Sequence, residues 1–304
     1  MPLHYELSDL RLLLILMRTR SLSASGEAAH LTTSAVSLRL RKLEDGIGAQ
    51  LFTRTGKGLV PTEAGTALAE AAVPILAEAA ALDARLNSFS KHDPEPLRIF
   101  SNSTGLQNFL CRIAADYLRE NSSFRAVLTE HRSSLTPEAV LTGEADLGLI
   151  GGIRELSPAY RTKLELVPFV EDRHVMILPR DSCAAQQFKN RPLQFAELLN
   201  LRFAALTEAS PMTAAMKERA LAAGFRFEPI IEAPSFSLLV ELVARGPLAA
   251  VVPASAVPPN APVEVRELED SWAARPLAFV LPKARPALPS AIDFVEFALR
   301  TQKR

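Results

Sequence analysis

Apolar residues recur every three or four positions through the first ninety residues of the chain. Beyond residue 97 they cluster in short runs separated by amphipathic stretches. The first pattern is helical and the second is that of strands alternating with helices. At the front, Leu10, Leu13, Leu14 and Met17 form one stripe of a helix over 8–19, and a second helix spans 23–30. Leu31-Thr32 makes a turn, with Thr32 as N-cap of a third helix running to about Asp45. There Val36, Leu40 and Leu43 recur at i, i+4 and i+7 and must face a core. Gly46-Ile47-Gly48 breaks the chain, Leu51-Phe52 re-enters the core, and Thr53-Arg54-Thr55-Gly56-Lys57-Gly58 predicts a basic hairpin.

A long Ala-rich helix follows over 62–90, with Thr62 as N-cap, Glu63 in its first turn, and Pro74 expected to bend it. Leu68, Ala72, Ile75, Ala79, Leu82, Leu86 and Phe89 alternate spacings of four and three, a heptad seam for pairing with a second copy of the chain. Lys91-His92-Asp93-Pro94-Glu95-Pro96 then ends the helix, because two prolines disfavour its continuation.

Beyond this hinge, strands are predicted at 97–100, 124–130, 146–150, 174–179, 202–207, 227–232 and 248–253, with helices at 104–118, from 137, at 212–223 and at 236–244. Such alternation implies a mostly parallel α/β arrangement of two lobes around a cleft. The expected domains are a head over 1–61, a linker and dimerisation helix over 62–90, a hinge over 91–96, and an α/β body over 97–304. The body is expected to cross between lobes near 165–170 and 265–275.

Composition narrows the function. The 304 residues are 48% hydrophobic and 22% charged, ordinary values for a globular protein with room for more than one core. Net charge is zero, but residues 1–60 hold eight Lys and Arg against five Asp and Glu, a net +3 that suits a polyanion-binding module. Leu10–Met17 is too short for a secretory signal, and no run approaches the roughly 18 uninterrupted apolar residues of a spanning helix. Cys111 and Cys183 are expected as reduced, buried thiols, and the chain is expected in the cytoplasm without membrane attachment. The five histidines are scattered. With no metal cluster, nucleophile elbow or phosphate loop, no catalytic residue, metal or cofactor is expected, and the chain is not expected to be an enzyme.

The chemistry that does stand out is a helix-turn-helix with a basic wing. On the third helix the face opposite the core carries Thr33, Ser34, Ser37, Leu38 and Arg41, with Lys42 at its edge and Thr32 at its start. Short hydroxyls can approach base edges, and arginine takes a guanine or a phosphate. Arg54 and Lys57 on the hairpin are placed to hold phosphates, so double-stranded DNA is the expected partner.

The first ninety residues resemble a LysR-type transcriptional regulator. They answer its pattern without a gap in Ser21-Leu22, Ser25-Gly26, Ser37-Leu38, Leu43-Glu44, Ile47-Gly48, Leu51-Phe52, Arg54 and Thr62-Glu63-Ala64-Gly65. The body is similar to that family's effector domain only in its rhythm. The resemblance implies a winged helix-turn-helix, all-α apart from its wing, joined by the linker helix to a two-lobed α/β domain like type 2 periplasmic-binding proteins. It implies a dimer or tetramer, a small-molecule effector, and contact with RNA polymerase. Three departures stand out: Gly26 replaces the usual Ala, at a helix cost of roughly 0.5–1 kcal/mol. Leu38 replaces a basic residue, and Thr33-Ser34 replaces the commoner Gln-Pro.

In the body, Ser101, Asn102, Ser103 and Thr104 open a helix after a strand, as do Thr207, Glu208 and Ser210 in the second half. Facing helix N-termini attract anions, so a small anionic effector is expected there. Arg132, Ser133 and Gly151 follow other strands into the same cleft, and Glu208 is expected to pair with Arg132 or with an amine of the effector. The alternative is a DNA-binding regulator with no effector, constitutive or controlled by a protein partner. A solute-binding protein without DNA function fits only the last two thirds of the chain.

Overall fold

The computed structural model describes residues 5–56, 58–87, 95–152, 156, 158–188, 191–208, 210–283 and 286–302. The head contains α1 (Leu7–Thr19), α2 (Leu22–Ala29) and α3 (Thr33–Ile47), then the antiparallel hairpin β1 (Phe52–Thr55) and β2 (Gly58–Pro61). Ser21 and Thr32 cap α2 and α3 by accepting from the amides of Ala24 and Ala35. Leu10, Leu13, Leu16, Val36, Leu40, Leu43, Leu51, Phe52 and Leu59 close one core. Each buried leucine there contributes about 1.5–3 kcal/mol.

The linker helix α4 (Glu63–Asn87) runs without a break through Pro74. Its apolar positions divide between two faces. Ala69, Ala72 and Leu76 complete the head's core, and Ala80 is buried further along. Ile75, Leu82 and Leu86 are exposed at 40%, 56% and 55%. Within the expected seam, Ala72 is therefore committed to the head of its own chain, and Leu68 packs partly against that same core. Phe89 lies outside the described residues. The stretch Glu63–Asp83 has the length and mean hydropathy (1.4) of a membrane-crossing helix. Alanine supplies much of that value, and one face is packed on protein.

The body forms two lobes. In lobe one come β3 (Leu97–Ser101), α5 (Ser103–Gly105), a single π turn, α6 (Cys111–Glu120), β4 (Ala126–Glu130), α7 (Thr136–Leu141), β5 (Leu147–Gly151), α8 (Pro158–Lys163) and β6 (Leu164–Glu171). Lobe two holds β7 (His174–Pro179), α9 (Cys183–Gln187), β8 (Ala204–Leu206), α10 (Pro211–Ala222), β9 (Ile231–Ala233), α11 (Phe236–Arg245), β10 (Ala250–Pro253) and β11 (Val263–Glu267). The chain then returns to lobe one with β12 (Pro276–Pro282) and α12 (Pro289–Gln302).

The sheet of lobe one has the order β4-β3-β5-β12-β6. Its first three strands are parallel, but β12 pairs antiparallel with both β5 and β6. In lobe two β7 is flanked antiparallel by β10 and β11, while β8 and β9 pair in parallel. The sheets are thus more mixed than the strand–helix rhythm implies, because β6, β11 and β12 are the crossing strands between lobes. The crossings lie at Asp172-Arg173 and between β11 and β12, where the Asp172 amide donates to the Arg275 carbonyl at 2.9 Å.

Both cysteines are free and exposed, a correction to the expectation of buried thiols. Each opens a short helix, α6 or α9, on its outer side rather than on the core stripe.

Candidate DNA-binding face and interlobe cleft

The recognition surface follows from how α3 is seated. With Val36, Leu40 and Leu43 buried, the opposite face presents Thr33, Ser34, Leu38, Arg41 and Lys42 to solvent, and Leu38 is 52% exposed. Thr32 sits at its start, its hydroxyl used as the cap and lying 3.0 Å from that of Ser34. Ser37 is the meeting point: its hydroxyl accepts from Arg41 at 3.4 Å and from Arg54 of the wing at 3.3 Å. Two guanidinium groups from different elements therefore flank one short side chain on an open surface. Lys57 lies outside the described residues.

Three residues that hold this face have no counterpart among the expected site residues. Glu44 accepts from the amides of Leu51 and Phe52 at 2.8 and 3.3 Å, fixing the wing's first strand to α3. Thr19 and Ser25 share a hydrogen bond of 2.6 Å that ties α1 to α2, with Ser25 fully buried. Ser25 and Glu44 fall within the matching pattern, but their hydrogen bonds and that of Thr19 become visible only in the fold.

Between the lobes lies a cavity of about 30 Å³. Its walls are Ser103, Thr104, Gln107 and Asn108 from lobe one and Ser235, Phe236, Ser237 and Ala256 from lobe two. Asn108 donates to Ser255 across it at 3.0 Å. Ser255 in turn donates to Asp172 at 2.9 Å, and Arg275 donates to the same carboxylate at 3.4 Å. A polar chain thus runs from the cleft wall to the crossover. Gly151 lies beside the Arg275 side chain. Burial lowers the Arg275 pKa from its usual value against the opposing pull of Asp172.

Several expected cleft residues are occupied elsewhere. Ser101 is fully buried and donates to the Leu149 carbonyl at 2.7 Å, so its hydroxyl serves the sheet. Asn102 caps α5 and donates to Ser133 at 2.9 Å, and Arg132 is exposed. Glu208 pairs with Lys217 at 2.7 Å rather than with Arg132, and Ser210 caps α10. Thr207 is exposed, its amide bonded to the Ala233 carbonyl at 3.2 Å. The wall from lobe two is instead the start of α11, where Ser235 caps the helix. The same strand–serine–helix signature occurs at 210 and at 235, and the topology selects the second.

Two sequence families match. Residues 7–66 fit the bacterial regulatory helix-turn-helix protein, lysR family, and residues 90–303 fit the LysR substrate binding domain. The chain belongs to the LysR family of transcriptional regulators. This LysR-type chain is 30% identical over 216 residues to the RuBisCO operon transcriptional regulator of Allochromatium vinosum, covering 71% of the chain and 68% of that protein. It is 27% identical to a probable RuBisCO transcriptional regulator of Cyanophora paradoxa, covering 68% of the chain and 63% of the relative. With the IlvY activator of Salmonella typhimurium it shares 31% identity over 48% of the chain and 50% of the relative. The match thus spans half to two thirds of the length of these curated relatives.

Its fold is that of a full-length OxyR variant from Pseudomonas aeruginosa, with a TM-score of 0.60, 21% identity, and 98% and 95% of the two chains covered. Full-length CbnR complexed with its target DNA superposes with a TM-score of 0.53 at 17% identity, covering 98% of this chain and all of that one (100%).

The departures from the LysR pattern now have a structural setting. Gly26 is buried against the turn, and a Cβ built there would fall 2.6 Å from the Leu31 carbonyl oxygen. Glycine at this position is a condition of the close turn rather than a simple loss of helix propensity.

Proposed function

We propose that this LysR-type regulator binds double-stranded operator DNA through the exposed face of α3 and its wing, and answers to a small anionic effector in the interlobe cleft. The observation that carries the DNA reading is the Ser37 cluster, two arginines and an open row of hydroxyls on one face opposite a buried stripe. Thr33, Ser34, Ser37 and Arg41 serve base edges, while Arg54, Lys42 and Lys57 serve phosphates. The exposed row of Ile75, Leu82 and Leu86 on α4 pairs two chains, matching two heads to a two-fold operator. A homodimer or tetramer in the cytoplasm, working with RNA polymerase, completes the reading.

For the effector, the support is chemical. Ser103, Thr104, Ser235 and Ser237 line one cavity beside the N-terminus of α11, where the helix dipole favours an anion. Glu208 is already neutralised by Lys217 and does not oppose an anion. Because the closed cleft holds only about 30 Å³, an effector enters when the lobes part and is retained when they close. That same small volume favours the second reading, a regulator governed by a protein partner. Thermal unfolding of the full chain with a panel of small carboxylates and their neutral amides separates the two. A midpoint raised by one acid and not by its amide supports the anionic effector, and no shift from any acid favours the protein partner.

A further inference from the structure

The head and lobe one are joined by more than the linker. Arg18 of α1 meets Glu138 of α7 at 3.4 Å and Glu144 just beyond it at 3.9 Å. The Arg18 and Glu138 side chains are only 17% and 16% exposed, so the pair is largely closed to water. Tyr160 donates to the other carboxylate oxygen of Glu138 at 3.3 Å. Behind this cluster α4 lies tight on the end of α7. Gly143 adopts a φ of +73°, and a Cβ built on it would fall 2.3 Å from that of Ala80. Val73 of α4 packs into the core that holds Phe100, Val140 and Val280.

The other end of α7 is tied to the strand end that precedes the cavity wall. The loop 131–134 that leads into it is tied to the end of β3, where the His131 amide donates to the Ser101 carbonyl at 2.7 Å and Asn102 donates to Ser133 at 2.9 Å. His131 continues the link into the helix through Thr136 at 3.2 Å. The residues that follow Asn102, Ser103 and Thr104, form the cavity wall.

We propose that α7 is a two-ended coupling element that holds the head against lobe one and carries displacement of the cavity wall at Ser103-Thr104, passed through the loop 131–134 bonded to Ser101 and Asn102, to the head. This rests on the reading of the cleft as the sensing site. Close packing favours discrete over graded displacement: glycine at 143 lets α4 approach closely at Ala80, and movement of α7 relative to α1 lengthens the 3.4 Å Glu138–Arg18 pair. Motion of α1 is motion of the recognition surface, because Thr19 binds Ser25 and α1 shares one core with α3.

Hydrogen exchange on the full chain tests this without DNA or effector, so its outcome is separate from that of the effector reading. Arg18→Glu places three carboxylates together and is expected to speed exchange in 76–81 and 136–141 about tenfold. Adding Glu138→Arg restores the pair with its charges swapped and is expected to return exchange to the wild-type rate. If Arg18→Glu impairs folding of the head, Arg18→Gln removes the pair without adding a carboxylate and is expected to speed exchange in the same two segments. Asn102→Ala, cutting the other end, is expected to speed exchange in α1 while leaving α11 unchanged. Unchanged exchange in α4 and α7 after loss of Arg18, no recovery in the swapped pair, or an Asn102→Ala effect confined to 131–134 overturns the proposal.

Discussion

The guanidinium of Arg54, on the wing, donates to the hydroxyl of Ser37, on the recognition helix, at 3.3 Å. This bond sets the distance between the two elements that would touch DNA, and it leaves the rest of the arginine fork facing solvent. Arg54→Ala is expected to weaken binding to all duplexes alike. The slope of log affinity against log salt should fall by about one per head, or about two in a dimer. Fluorescence anisotropy across a salt series measures it, and an unchanged slope removes Arg54 from the phosphate contacts.

Ser37 itself sits between two arginines at the open face of α3. Ser37→Ala should relax base preference at one or two operator positions, each by roughly 1–3 kcal/mol, with little change on random duplex. Competition with a set of single-base operator variants decides this. Preferences identical to wild type would place the base readout on other residues.

Gly26→Ala opposes two effects. Alanine is the better helix former by about 1 kcal/mol, yet its Cβ would stand 2.6 Å from the Leu31 carbonyl, a backbone atom that cannot swing aside. The clash is expected to win, with a net loss of roughly 1–3 kcal/mol in the head. Urea unfolding followed by circular dichroism checks the sign, and a more stable variant would mean that the turn gives way freely.

His174 gives lobe two a pH dependence. Burial first, and then Arg275 and Arg219, pulls its pKa down from 6.5 to about 4. The unfolded chain then binds more protons than the folded one between those values, so stability falls as pH drops through that window. A loss of about 2 kcal/mol is expected from pH 6.5 to 5, since each unit corresponds to about 1.4 kcal/mol. The Trp272 ring lies 6.0 Å from that of His174, so the fluorescence of the chain's one tryptophan reports on this lobe. His174→Gln should flatten that part of the profile, and an unaltered slope would assign it to other groups.

The head was legible in the sequence because its signals are local. Val36, Leu40 and Leu43 mark one face of a helix, so the polar residues of the other face follow at once. Caps such as Ser21 and Thr32 act on amides three residues ahead, within reach of any short-range pattern. The cleft was less legible because its walls come from residues more than a hundred positions apart. Ser210 and Ser235 both follow a strand and cap a helix, and nothing local tells which one the lobes bring opposite Ser103. The linker helix shows the same limit. Its heptad spacing treats Ala72 and Ile75 as equivalent, but the head's core takes one and leaves the other exposed at 40%. The pairing of Arg18 with Glu138 left no trace in the sequence at all.

The most direct test of the account is binding of the full-length protein to DNA from upstream of its own gene and to a scrambled duplex, by anisotropy from low to physiological salt. Tighter binding to the upstream duplex is expected at physiological salt, with affinity on both duplexes falling steeply as salt rises. No binding to either duplex at about 50 mM salt, or binding indifferent to salt, would contradict it.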